Sequence, residues 1–256
     1  MEAYTGKLII FTTFYKQQTL SCYCDSLFQT AVLLERLGIK NDYWSNRGDF
    51  HVERSINTAL TAFLDSDATD IIIIDSDEEW RSQDIVRLLM HDEEIVGGSY
   101  RTTMPKIRYL GELKTAEDGA YLGKMLPDGN ALLEAYRIPS GFMRIKKSAI
   151  KKYVDAYPDS YFLSEIDRKE TKIYTFFWNE IKDHIFYGMD YALSEKFTAL
   201  GIKLWIDPMI QIGHWGLTEY KSDLDKYLRM KKDLQDGKTA FGIVEQMAKE
   251  IEARNG

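Results

Sequence analysis

Two aspartates one residue apart, Asp75 and Asp77, close the apolar run in TDIIIIDSDEEW, and Glu78 and Glu79 follow at once. Four carboxylates in five residues repel one another unless a cation or open water lies close by. Side chains two apart on an extended chain face the same side. One carboxylate can then reach a ligand hydroxyl while the other, held by a turn, binds a hard divalent cation. Mg²⁺ and Mn²⁺ favour carboxylate oxygens and carry phosphates well. The same tripeptide is common by chance, and a solvated acidic loop ahead of a helix also fits it, because acids favour a helix N-terminus. Glu78 and Glu79 are read in that second way.

The elements that must position these acids alternate in kind. KLIIFTTF is a buried strand. Leu20, Cys24, Leu27, Ala31 and Leu34 recur at helical spacing, with Gly38 to end the helix. NDYWS reads as a second strand, Val52, Ile56, Ala59 and Phe63 mark a second helix, and DIIIID is a third strand, apolar on both faces as the centre of a parallel sheet requires. Ser82 is placed to cap a helix through DIVRLLM, and EIVGGSY supplies a fourth strand. This pattern predicts an α/β fold with a Rossmann-like start, a mostly parallel central sheet and flanking helices.

Beyond Arg101 the alternation weakens into loops and hairpins, with turn signals at EDG and PDGN. IPSGFMRIKKSAIKKY predicts a strand running into a helix, KIYTFFWNEI a strand, GMDYALSEKFTALG a helix closed by Gly201, and KLWIDPMIQIGHWG an extended segment. Aromatic residues crowd 157–187. Such rings can stack on sugars, but the alternating Phe176 and Trp178 are read as core. Two amphipathic helices finish the chain, with an apolar stripe (Leu224, Tyr227, Leu228, Leu234) that can cover the sheet or pair with a second subunit.

Composition narrows the class. The 256 residues carry 33 Lys and Arg against 40 Asp and Glu, a net charge of −7 with both signs interspersed. That excludes a protein built to neutralise nucleic-acid phosphates. No apolar segment approaches the roughly 18 residues that span a bilayer, and the start lacks a secretory layout. Cys22 and Cys24 are too close for an ordinary bridge and too few for structural zinc, so reduced thiols and a cytoplasmic location are expected.

Taken in order, IIIIDSDEEW…DIVRLLMHDEEIVGGSYR, IPSGFMRIKKSAI and GMDYALSEKFTALGIKLWIDPMIQIGHWG resemble the GT-A-fold glycosyltransferases, the family-two-like nucleotide-sugar transferases. The resemblance spans 1–216, with a nucleotide-binding half at 1–101, an acceptor and catalytic half at 102–216, and a helical extension at 217–256. It implies a UDP- or GDP-linked sugar donor, a glycan or other hydroxyl acceptor, and Mn²⁺ or Mg²⁺. Asp75 would hold the nucleotide ribose, Asp77 and His214 the metal with Asp75 beside them, and Asp190 would be the base of an inverting transfer. The family often has Glu-Asp where this chain has Met189-Asp190.

Donor contacts are expected from Thr12 and Thr13 at the end of the first strand, Ser45 at the end of the second, and Ser76 between the acids. Arg54 and Asn57 resemble a recurrent Arg-x-x-Asn pair where a guanidinium meets a phosphate; a solvated helix face fits the same positions. Gly97 and Gly98 would admit the donor sugar, Arg101 would follow it, and Ser140-Gly141-Phe142 matches a small-residue turn beneath that sugar. Two other classes compete: a non-catalytic nucleotide-sugar or carbohydrate-binding module, and an aspartate-nucleophile phosphohydrolase. The latter usually carries its aspartates on the first strand, whereas here they follow the third.

Overall fold

The computed structural model describes residues 4–14, 18–102, 108–166, 169–216, 219–221 and 223–235. The first hundred residues form β1 (Lys7–Phe14), α1 (Ser21–Arg36), β2 (Lys40–Arg47), α2 (Val52–Asp65), β3 (Asp70–Ile74), β4 (Glu78–Trp80), α3 (Ser82–Leu89) and β5 (Ile95–Gly97). A strand-rich stretch follows with β6 (Glu112–Leu113), β7 (Gly123–Met125), β8 (Ala131–Arg137) and β9 (Phe142–Lys146). Next come α4 (Lys147–Ala156), the hairpins β10 (Tyr161–Ile166) with β11 (Lys169–Tyr174) and β12 (Glu180–Lys182) with β13 (Ile185–Tyr187), and α5 (Met189–Ala199). The described chain ends with β14 (Leu204–Ile206), β15 (Ile212–Trp215), β16 (Glu219–Lys221) and α6 (Leu224–Gln235).

Strand periodicity builds two cores. Leu8 and Ile10 of β1, with Ile72 and Ile74 of β3, enter one apolar layer with Tyr23, Leu34 and Ile85 from α1 and α3. Ile9, Phe11, Ile71 and Ile73 face the other way, against Ile56 and Phe63 of α2, Ile150 of α4 and Phe197 of α5. The isoleucine run is apolar on both faces because helices cover both, and each such side chain contributes about 1.5–3 kcal/mol by leaving water. Gly38 and Gly201 end α1 and α5 with φ of +67° and +74°, a backbone turn that side chains resist.

The central sheet has the order β2-β1-β3-β9-β5-β14-β8-β6, with β7 also pairing with β8. β1, β2, β3, β5 and β14 share one direction, and β9 lies antiparallel between β3 and β5. The sequence suggested that β5 would be the fourth strand of a simple alternation; a strand from the second half separates it from β3. The sheet therefore runs without a break across residue 101.

Three local expectations are corrected. Arg81, not Ser82, occupies the N-cap of α3, and its guanidinium pairs with Asp84 in the first turn at 2.6 Å. The strand expected at KIYTFFWNEI stops at Tyr174, and an irregular segment follows. Phe176 and Phe177 in that segment are fully buried, but Trp178 is 52 % exposed and is not core. At the C-terminus, Leu224 is buried and Tyr227 packs on Tyr109, with ring centroids 4.8 Å apart, so that part of the α6 stripe covers its own fold. The second expected C-terminal helix lies outside the described residues. Among those described, no helix is long and apolar enough to cross a membrane.

Candidate functional site

Strand order reverses at β1, with β2 on one side and β3 on the other. In open α/β sheets such a reversal opens a crevice beyond the carboxyl ends of the strands, where ligands bind. A cleft of about 590 Å³ lies there, lined by Thr13 from the end of β1, Asp75, Ser76 and Asp77 after β3, Met189 and Trp215. The Thr13 hydroxyl is buried and has no hydrogen-bond partner among the described residues. Thr19 closes another side, donating its hydroxyl hydrogen to the Ser76 carbonyl at 2.7 Å.

Backbone pairing delivers the histidine. β4 and β15 run antiparallel, with Glu78 opposite His214, and the Trp215 N–H donates to the Asp77 carbonyl at 2.9 Å. His214 Nε2 then stands 3.5 Å from Asp77 Oδ2. Its Nδ1 lies 2.9 Å from the Arg101 carbonyl oxygen. A carbonyl can only accept, so Nδ1 carries the proton, and in the neutral ring Nε2 offers a lone pair toward Asp77. Tyr100 packs edge-on against the imidazole at 5.1 Å. Burial pulls the imidazole pKa down, but the Asp77 carboxylate and the Arg101 carbonyl outweigh it and hold the pKa above its ordinary value.

Behind this pair lies a second group of acids. Asp75 donates its backbone N–H to the Gly141 carbonyl at 2.9 Å, which ties the acidic turn to the start of β9. A Cβ on Gly141 would stand 2.2 Å from the Tyr100 hydroxyl, 2.5 Å from Asp75 Oδ2 and 2.8 Å from Glu78 Oε1. The missing side chain is what lets these three oxygens converge. Burial, then the charge of Asp77, pushes the Asp75 carboxyl up to about 7, against the pull of His214. Glu78 was expected in a solvated loop; it is fully buried in β4, and neither carboxyl oxygen has a hydrogen-bond partner of ordinary geometry among the described residues. Burial and the charges of Asp75 and Asp77 raise its pKa well above the usual range. Glu79 is half-buried and accepts a bond from the Trp215 indole N–H at 3.0 Å.

Asp190 sits in the first turn of α5 and accepts its neighbour's N–H, from Tyr191, at 2.9 Å. Burial raises its pKa, and backbone N–H groups, including that of the buried Ser140, oppose the rise. Its charge is felt at Asp75, so the Ser140-Gly141 turn joins the two acids along one wall.

Other expected donor contacts lie elsewhere. Thr12 is fully buried and its hydroxyl bonds to Tyr23 at 2.5 Å, so it braces α1. Ser45 is exposed in a separate cleft, together with Arg54, whose guanidinium is held by Asp49 through bonds of 2.9 and 2.7 Å. Asn57 is buried beneath residues 176 and 177 and bonds their backbone. The space over Gly97 is filled by the Phe142 carbonyl and Ile138, and that over Gly98 by Ile210 and Ile212. These glycines admit the protein's own atoms where a sugar was expected. Arg101 reaches the site through its carbonyl. Sequence reading missed Glu78 and Tyr100. The only signal for either was position, Glu78 one residue past the acid pair and Tyr100 two past Gly98.

Asp75, Asp77 and His214 do not form a closed metal cage; among the described residues no three His, Cys, Asp or Glu side chains converge on one point for an ion. The physical reason is that Asp75 turns an oxygen toward Gly141, leaving Asp77 and His214 face to face. Two protein donors beside open space suit a hard cation whose other ligands are water and substrate phosphate. The protonated Nδ1 on a carbonyl is the outer contact that orients a ligating imidazole.

No protein-family model matches the chain, and no curated protein sequence matches it. Among solved structures it is similar to A197 from STIV, at 16 % identity and TM-score 0.48 over 86 % of this chain and 91 % of that one. It is also similar to the catalytic domain of Drosophila beta1,4-galactosyltransferase 7 in complex with xylobiose, at 11 % identity and TM-score 0.45 over 86 % and 71 %. A third similar structure is GalNAc-T7 with UDP, GalNAc and Mn²⁺, at 11 % identity and TM-score 0.47 over 82 % and 44 %. At identities of 16 % or less and TM-scores below 0.5, these likenesses place the chain in no family.

Proposed function

We propose that this chain is a GT-A-like glycosyltransferase that moves a sugar from a UDP- or GDP-linked donor to a hydroxyl acceptor with inversion. The observation that carries this reading is the facing pair of Asp77 and His214, with the imidazole tautomer set by the Arg101 carbonyl, in the cleft at the strand-order reversal. Asp77 and His214 would hold Mn²⁺ or Mg²⁺, and a bound cation there supplies charge neutralisation for the leaving diphosphate. Asp75 accepts a hydrogen bond from a ribose hydroxyl, and Thr13 offers its unpartnered hydroxyl to the donor. Asp190 takes the proton of the acceptor hydroxyl as that oxygen bonds to the anomeric carbon and the bond to the diphosphate oxygen breaks. Its raised pKa suits a general base better than that of an ordinary surface carboxylate.

Calorimetric titration with UDP- and GDP-sugars, with and without Mn²⁺, tests the proposal. Metal-dependent binding that weakens at least tenfold in Asp77→Ala and in His214→Ala is expected. Absence of metal-dependent binding for every nucleotide sugar would overturn it. One observation favours the binding-module reading: the Asp190 carboxylate already accepts amide N–H bonds, which reduces its basicity. Slow donor hydrolysis that is lost in Asp190→Ala, with donor affinity retained, would argue against a binding module.

A further inference from the structure

We propose that a second cleft, beside the N-terminus of α2, binds the saccharide chain that carries the acceptor hydroxyl, with Trp178 as its stacking platform. The proposal rests on the transferase reading for the identity of the ligand, but saccharide binding by this cleft requires neither donor nor metal.

The cleft has a volume of about 670 Å³ and is lined by His51, Glu53, Arg54, Asp159, Tyr161 and Trp178 among others, within the range of small-molecule sites. Val52, between His51 and Glu53, lines the Asp77 cleft. The two clefts therefore border the same helix start.

The display of Trp178 is built. Asn57, buried in α2, donates to the Phe177 carbonyl at 2.8 Å and accepts from the N–H groups of Phe176 and Phe177 at 3.0 and 2.7 Å. Phe176 and Phe177 are fully buried. Three hydrogen bonds and two buried rings thus fix the backbone just before an indole that is half exposed, and among the described residues no ring stacks on it. A half-exposed indole on a fixed backbone presents a flat apolar face that a ligand can cover without further ordering cost.

What covers it is set by the polar rim. Arg54 is held by two bonds to Asp49 and is half exposed, so its outward edge is pre-oriented. His51, Glu53 and Asp159 add donors and acceptors around the aromatic floor. A pyranose has one face of C–H groups to lie on an indole and a circumference of hydroxyls, each both donor and acceptor, which matches a rim of mixed sign. A lipid chain would offer this polar rim no hydrogen-bond partner. Tyr161 keeps its place through Lys172, whose ammonium lies 4.1 Å from the ring centroid.

The test uses the full chain, metal-free, against an array of neutral and acidic oligosaccharides of two to four residues, with titration of any hit by calorimetry. Binding is expected to fall at least tenfold in Trp178→Ala, to be largely kept in Trp178→Tyr, and to be unchanged in Asp77→Ala. Unfolding curves that match wild type for Trp178→Ala confirm that the loss is local. Binding of no saccharide, or a hit unaffected by Trp178→Ala, overturns the proposal. If donor binding fails but this binding holds, the transferase reading falls while the saccharide site stands.

Discussion

At the scale of single residues, the carboxylates around Gly141 are a stored electrostatic cost. Asp75 has its pKa pushed up to about 7 from an ordinary 3.8. An acid whose pKa is raised in the folded state favours folding while protonated, below its unfolded-state value. That contribution is lost as pH rises through the folded-state value. In metal-free protein Asp75→Asn is therefore expected to be stabilising, by about 3 kcal/mol more near about pH 8 than near about pH 4.5. Urea unfolding in the presence of a chelator at both pH values measures this; a gain that does not grow with pH would contradict it. The acids themselves stood out in the sequence, since four carboxylates after an isoleucine run need a reason. Their separate environments did not. Nothing in DSDEEW distinguishes the buried Glu78 from the half-buried Glu79, because burial is set by the pairing of β4 with a strand some 130 residues further on.

Element by element, legibility followed the length of the pattern. β1 and β3 were readable as short unbroken apolar runs and α2 by its 3.6-residue period, and Gly38 marks the end of α1 by chemistry. The face expected for α1 was not the buried one, since Tyr23, Ser26, Thr30 and Leu34 turn inward while Leu20, Cys24 and Ala31 are exposed. β4 and β15 have three and four residues, too few for a period to declare itself, yet they bring His214 to Asp77. The segment after β11 misled for a different reason. Its aromatic alternation continues past Tyr174, but Asn57 takes the backbone groups that a neighbouring strand would have used. Asn57→Ala leaves those groups buried and unpaired and is expected to destabilise the protein by about 2–4 kcal/mol. The same change should increase hydrogen exchange at Phe176 and Phe177. A loss under about 0.5 kcal/mol would show that the asparagine is not the latch described.

For the molecule as a whole, the two halves suggested by sequence share one sheet. β9 supplies hydrogen-bond partners to both β3 and β5, and β14 pairs with β5 on its other side. Residues 1–101 alone would present β3 and β5 with unfilled edges. That fragment is expected to give no cooperative unfolding transition in urea, whereas the full chain gives one. A cooperative transition from the fragment would show that the first half folds independently.

The same wedge sets a timetable for synthesis. As the chain leaves the ribosome, the isoleucine strand emerges some seventy residues before the segment that seals its flank. Through that interval the nascent protein carries an open β edge of high aggregation hazard. Chaperone capture should concentrate on translation intermediates in which β3 has left the exit tunnel and β9 has not, and fade once β9 has cleared it.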